Sequence, residues 1–261
     1  MSTLLVRNIK QICLCNNQSN KALRGNALCH WNSIENAYLL VQNGLIKDYG
    51  SMTNCPRSAD KIVDATGQIL LPGFVDSHTH LVFAGSREME FVERIKGTSY
   101  ETIIEKGGGI LNSANRLASM SEEELYTQAM HRLDQLIKKG TCAIEIKSGY
   151  GLSYEAELKI LRVIKRIKAN APIPVKATFL GAHAIPAAYK SNREGYIDLL
   201  LNDILPVIAA ENLADYIDVF CEKVAFSVEE TQRIIQAGAA TTLKSAITAS
   251  STVLEVNALN G

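Results

Sequence analysis

Two histidines separated by one residue, His78 and His80, stand at the end of an apolar segment that the sequence predicts to be a β-strand. Side chains alternate between the two faces of a strand, so we expect Asp76, His78 and His80 to project to one side. Two imidazoles that converge in this way can bind one metal cation. The alternative is that the two histidines are unrelated and lie on a half-exposed strand. The flanking sequence is needed to distinguish a metal site from this alternative.

Three further side chains capable of chemistry follow predicted strands: Arg87, Tyr150 in a turn flanked by glycines, and His183. Barrel enzymes place their chemistry at the carboxyl ends of parallel strands, so these residues would share one mouth with the histidine pair. Taken singly, each has an ordinary structural explanation. Arg87 fits a surface charge, Tyr150 a ring packed beside a turn, and His183 a hydrogen-bonded buried histidine.

The elements that must position these residues fall into two parts. Residues 1–70 contain short apolar runs separated by Asn, Gly, Ser and Pro, which predicts a small β domain. In residues 71–238 strands alternate with long helices, the pattern of βαβ units and a parallel sheet. The predicted strands of this second part are 73–80, 141–148, 173–183 and 216–222.

Helix start signals recur between these strands. Serines that can cap a helix N-terminus are Ser121, Ser153 and Ser227, the first and third with a glutamate three residues later. Gly238 is expected to end the last of these helices, and residues 196–210 form a further one. A complete eight-fold barrel needs about 250 residues. We therefore predict an α/β fold: an incomplete (β/α)8 TIM-like barrel after a small N-terminal β domain, with residues 239–261 as a divergent tail.

The composition excludes several classes of function. Lys plus Arg and Asp plus Glu both count 27 in 261 residues, and this balance argues against nucleic acid or an anionic membrane as partner. There is no apolar stretch of about 20 residues and no signal-like start, so a cytoplasmic protein is expected. The six cysteines show no CxxC spacing, which favours reduced thiols over a disulfide framework.

Five ordered motifs surround the candidate residues. They are LPGFVDSHTH at 71–80, GGGI at 107–110, EIKSGYGL at 145–152, GAH at 181–183 and DVFCEK at 218–223. With these motifs the chain resembles the imidazolonepropionases of the amidohydrolase superfamily, over about 235 residues. The resemblance implies a metal-dependent (β/α)8 barrel with an appended β domain, a composite sandwich to which residues 1–70 contribute.

The resemblance also implies an activity and a site. Family members open 4-imidazolone-5-propanoate with water to N-formimidoyl-L-glutamate in histidine degradation, through water activated by one zinc or iron ion. His78 and His80 would ligate the metal, and Arg87 would bind the propionate carboxylate. Tyr150 and His183 would contact the imidazolone ring, with His183 also a catalytic donor to the developing oxyanion. The partner expected is this small molecule, and a homodimer is left open.

The chain departs from the family in its later residues. A catalytic zinc usually takes three protein ligands, and the family's remaining ligands are a later histidine and a later aspartate. No histidine follows His183 and no aspartate follows Asp218. We expect a chain truncated and altered after about residue 238, and poorly active by itself.

Three hypotheses follow from this departure. The first is an active imidazolonepropionase whose missing ligands come from another polypeptide or a longer product. The second is an inactive remnant or a binding protein that retains Arg87, Tyr150 and His183. The third is a related amidohydrolase acting on a hydantoin or dihydroorotate ring, against which that set of three residues argues.

Overall fold

A computed structural model describes residues 2–14, 25–29, 32–86, 88–99, 102, 110–223, 225–241 and 243–245. Arg87 and the glycines at 107–109 lie outside the described residues. The chain divides into two compact units, Met1–Gly73 and Phe74–Gly261. Among the helices that are described, none is long and apolar enough to cross a membrane.

The first unit is a five-stranded sheet in the order β3-β2-β1-β4, with β5 also paired to β1. Asn43 and Gly44 join β2 to its antiparallel neighbour β3 with φ angles of 51° and 80°, the left-handed conformation that tight hairpin turns require. Ile9, Ile12 and Ala37 form its small core with Ala65. The strands are β1 (Thr3–Leu14), β2 (Asn32–Gln42), β3 (Leu45–Ser51), β4 (Lys61–Asp64) and β5 (Ile69–Leu70).

The second unit contains a sheet of five parallel strands that follow one another in chain order, β6-β7-β8-β9-β10. Neighbouring parallel strands in sequence order, joined through helices, are the arrangement of a (β/α) barrel. This confirms the predicted α/β class and incomplete barrel. The strands are β6 (Phe74–Thr79), β7 (Thr141–Lys147), β8 (Val175–Ala182), β9 (Tyr216–Val219) and β10 (Lys244–Ser245).

Helices connect and cover these strands. The capping boxes at Ser121 and Ser227 form as predicted, and Ser153 caps the helix between β7 and β8. Leu125 and Leu133 are fully buried in one core with Ile144 and Ile146 of β7. The helices are α1 (Glu88–Ile95), α2 (Ile110–Ser119), α3 (Glu122–Lys138), α4 (Tyr154–Asn170), α5 (Arg193–Asp198), α6 (Leu205–Glu211) and α7 (Val228–Ala240).

The helix predicted at 196–210 is longer and less regular than expected. It begins at Arg193, widens into a π-helical segment at Leu199–Ile204 and ends at Glu211. Pro206 lies in α6 and has no N–H for the bond to residue 202, so the regular helical ladder is interrupted there.

One prediction about the last helix was wrong, and the chain after it forms a strand that was not predicted. Gly238 does not stop α7, which continues to Ala240. Gly238 is instead buried against β9, where a Cβ would lie 2.6 Å from Cγ2 of Ile217. The stretch after 238 also contributes a fifth strand, β10, which pairs in parallel with β9 through Lys244 and Ser245.

We expect Gly238→Ala to lower the free energy of unfolding by about 1–3 kcal/mol, because the added methyl overlaps the Ile217 side chain. Urea unfolding monitored by circular dichroism measures the change. Ala239→Ser on the exposed side of α7 is the control. Combining Gly238→Ala with Ile217→Ala should cost less than the sum of the two single changes, and strict additivity would contradict the proposed contact.

Candidate active site

Four aromatic side chains lie at the carboxyl ends of neighbouring strands. His80 directly follows β6, Tyr150 lies in the turn after β7, His183 directly follows β8, and Phe220 directly follows β9. Because the strands are parallel neighbours in one sheet, their carboxyl ends meet at one edge of the sheet. The sheet thus gathers residues that are far apart in sequence.

The rings at this edge form one cluster. The ring centroids of His78 and His80 are 5.8 Å apart, and His80 stacks on His183 at 5.2 Å with an interplanar angle of 8°. Tyr150 packs edge-on against both, 4.7 Å from His80 and 5.2 Å from His183. Phe220 closes the cluster, 5.8 Å from His183. Four of the five predicted site residues are therefore together, and the fifth, Arg87, lies outside the described part of the chain.

His80 is held in the neutral form. Burial, followed by charge repulsion from His183, His78 and Lys147, lowers its pKa to about 3. Its Nδ1 atom is buried and has no hydrogen-bond partner among the described residues. A neutral imidazole with an unpartnered buried nitrogen suits a metal ligand, because a metal binds the free lone pair.

The fit to a metal is partial. The described residues contain no group of three or more His, Cys, Asp or Glu side chains placed to hold an ion. His78 and His80 thus supply a pair of suitable nitrogens, one fewer than the three protein ligands of a usual catalytic zinc site. Asp76, expected beside them, lines a groove of about 410 Å³ together with Glu145 and Lys147.

A buried ion network lies below the ring cluster. The Lys147 ammonium is 2.7 Å from Oε1 of Glu145 and 2.9 Å from Oδ2 of Asp218, and its side chain is 2% exposed. Thr178 of β8 donates its hydroxyl to Glu145 as well. The network therefore connects β7, β8 and β9. The motifs at 145–152 and 218–223 contain Glu145 and Asp218, but sequence reasoning assigned neither a role.

A second buried acid, Glu157, supports the turn that carries Tyr150. It lies on α4, is fully buried, and accepts hydrogen bonds from three backbone N–H groups of that turn. Sequence reasoning missed it. The available signal was an acidic residue between Ala156 and Leu158 on a helix face that is otherwise apolar.

A pocket of about 190 Å³ opens beside the cluster. His80 and Tyr150 line it with Phe83, Ser86 and Ser113, together with Gly85. Arg132 of α3 fixes the segment after His80 by donating to the Leu81 carbonyl at 3.1 Å and lying 3.5 Å over the Phe83 ring. Two candidate site residues thus face a space with hydroxyl groups on its wall.

No family model matches the chain, but curated proteins are similar to it. It is 52% identical over 236 residues to an imidazolonepropionase of Christiangramia forsetii, covering 90% of this chain and 57% of that protein. It is also 52% identical over 239 residues to an imidazolonepropionase of Flavobacterium psychrophilum, covering 91% and 58%. By sequence, the chain is similar to imidazolonepropionases over about nine tenths of its own length. It spans little more than half the length of these curated relatives.

A solved structure resembles the chain in its fold. E. coli guanine deaminase matches the chain with a TM-score of 0.56 at 14% identity, over 95% of this chain and 53% of that protein. At this identity the likeness shows the fold alone, and the chain covers about half of that protein.

The ring cluster has a measurable pH signature. An unfolded chain protonates His80 near pH 6.5, whereas the folded chain keeps it neutral down to about 3. The contribution of His80 to the free energy of unfolding is therefore fully present above about pH 6.5. It falls by up to about 1.4 kcal/mol for each pH unit below that value. Urea unfolding in EDTA at pH 7 and pH 5 should show a smaller difference in His80→Asn than in wild type.

His131→Asn, at an exposed position on α3, is the matched control for this measurement. An equal pH dependence in His80→Asn and wild type would contradict the neutral, buried His80.

The buried network gives a second prediction. Lys147→Met leaves the carboxylates of Glu145 and Asp218 without their cation, and we expect a loss of about 3–5 kcal/mol in the free energy of unfolding. Lys138→Met, which breaks an exposed pair with Asp134, should cost less than about 1 kcal/mol. Chemical denaturation measures both, and equal losses would contradict the role of the network.

Proposed function

We propose that this chain is part of an imidazolonepropionase that opens 4-imidazolone-5-propanoate with water to N-formimidoyl-L-glutamate in histidine degradation. One observation carries the proposal. The cluster of His78, His80, Tyr150 and His183 stands at the carboxyl end of parallel strands in a chain 52% identical to proteins of that name. Because the chain spans 57% of such a protein, the activity is a proposal for the whole enzyme.

We propose His78 and His80 as ligands of one divalent metal ion, zinc or iron. Support comes from their convergence and from the neutral state of His80, whose buried Nδ1 has no partner among the described residues. When bound, such a metal lowers the pKa of a coordinated water and polarises the substrate carbonyl. Further ligands would come from the part of the enzyme that this chain does not match.

The remaining residues of the cluster bind and orient the substrate in this proposal. Tyr150 and His183 contact the imidazolone ring, and His183 donates a hydrogen bond to the oxygen that gains charge as the ring opens once Nε2 has also taken up a proton. Arg87 binds the propionate, since a guanidinium matches a carboxylate in charge and geometry. Phe83 lines the pocket beside His80 and Tyr150, and Phe220 packs edge-on against His183.

We propose that the enzyme is cytoplasmic. Its partner is a small-molecule substrate, and neither nucleic acid nor a membrane is involved. A homodimer is compatible with this proposal. The five described cysteines are free thiols, in keeping with a reducing compartment.

The proposal is tested by a fusion that joins this chain to the unmatched part of the Christiangramia forsetii protein. With zinc or iron supplied, the fusion should hydrolyse 4-imidazolone-5-propanoate, and His80→Asn should lose metal and at least about 100-fold in kcat/KM. Arg87→Met should mainly raise KM for this substrate, because the uniform binding of the carboxylate is lost. His131→Asn is the control.

The alternatives predict other results. A fusion that binds metal stoichiometrically but opens only hydantoin or dihydroorotate rings would replace the proposal with another cyclic amidohydrolase. A fusion that binds metal and hydrolyses none of these substrates would favour the inactive remnant. Ordinary turnover by the 261-residue chain alone would contradict our expectation that it is poorly active by itself.

A further inference from the structure

Glu157 is the fully buried acid of α4, with 0% of its surface exposed. A carboxylate in such a place is costly unless hydrogen bonds replace its lost water. Burial raises the pKa of Glu157, and hydrogen bonds from the Ser148 side chain and from backbone N–H groups oppose that rise. These donors belong to the turn Ser148–Leu152, which carries Tyr150.

The contacts converge on one carboxylate. The Gly149 N–H donates to both oxygens at 3.0 and 3.2 Å, Gly151 donates at 2.6 Å and Leu152 at 3.2 Å. The Ser148 hydroxyl donates to Glu157 and accepts from the Leu180 N–H at 3.0 Å. Glu157 therefore anchors the turn after β7 and, through Ser148, connects it to β8.

The turn needs this anchor because its backbone conformation is unusual. Gly149 has a φ of 104° and Leu152 a φ of 54°, which is strained for a leucine. A Cβ on Gly149 would lie 2.7 Å from the Leu180 carbonyl oxygen. Without Glu157, three N–H groups in this closely packed region would lose their acceptor, each at a cost of about 1–3 kcal/mol.

The same turn reaches His183. The Gly149 carbonyl oxygen is 3.0 Å from Nδ1 of His183. A carbonyl only accepts, so Nδ1 carries the proton, and in the neutral ring Nε2 is then the acceptor. Gly149 thus binds Glu157 through its N–H and His183 through its carbonyl.

We propose that Glu157 is a positioning residue of the candidate active site: its carboxylate fixes the turn Gly149–Leu152 and, through Gly149, the orientation and the Nδ1-protonated tautomer of His183. Tyr150 is positioned by the same anchor, since N–H groups on both sides of it donate to Glu157. The consequence for hydrolysis rests on the proposed function, whereas the effect on conformation does not.

Glu157→Gln tests the proposal in the full chain. The side chain keeps its size, but its amide NH2 cannot accept, so at least one N–H of the turn loses its partner. We expect amide hydrogen exchange at Gly149, Gly151 and Leu152 to quicken at least about 10-fold. We also expect the histidine 15N shifts of His183 to move away from the pure Nδ1-protonated pattern. Glu155→Gln, an exposed charge change on the same helix, should alter neither.

Wild type provides the second measurement if Glu157→Gln does not fold. The 15N shifts of its His183 should report the Nδ1-protonated tautomer, and the three amides should exchange more slowly than that of exposed Glu155. An Nε2-protonated His183, or fast exchange at all three amides, would overturn the proposal. So would unchanged exchange and tautomer in a folded Glu157→Gln.

Activity is read separately, in the fusion with the relative. Glu157→Gln should lower kcat at least about 10-fold with the metal content unchanged, while Glu155→Gln retains full activity. An inactive wild-type fusion would contradict the proposed function and leave the positioning role to be decided by the exchange and tautomer measurements.

Discussion

A lysine ammonium buried between strands links the central strands of the second unit. Lys147 of β7 is held by Glu145 on its own strand and by Asp218 of β9, and Thr178 of β8 completes the group. Burying one charge without the others would cost several kcal/mol, so the network links the three strands. Thr79 extends the linkage to β6 by donating to the Glu145 carbonyl at 2.7 Å.

The ring cluster lies close to that linkage along the chain. His80, Tyr150 and His183 each follow a strand of the network by no more than three residues, so little chain separates them from the fixed ion pairs. Glu157 then orders the one intervening turn that is conformationally strained. Two buried polar groups therefore support the ring contacts: the Lys147 network between the strands and Glu157 under the turn. The rings that they support follow three different strands.

Much of this arrangement could be predicted from local sequence. Strand positions, the capping serines and the convergence of His78, His80, Tyr150 and His183 follow from periodicity, cap residues and the rule that parallel strands share one carboxyl end. Sequence reasoning failed where a distant neighbour decides the structure. Gly238 reads as a helix stop, yet its role is set by Ile217 of β9.

No apolar run in the sequence indicates the short strand β10. It forms by parallel backbone pairing with β9. Glu157 reads as an ordinary helix glutamate, because its three donors belong to a turn whose path the local pattern does not give.

The central claim is that His80 and His183, 103 residues apart in the sequence, stack at one edge of the parallel sheet. Selective 13C,15N labelling of the five histidines gives a spectrum simple enough to assign by single substitutions. We expect nuclear Overhauser contacts between the ring protons of His80 and His183, which are stacked at 5.2 Å. Absence of these contacts in a folded chain whose two rings are both assigned would contradict the claim.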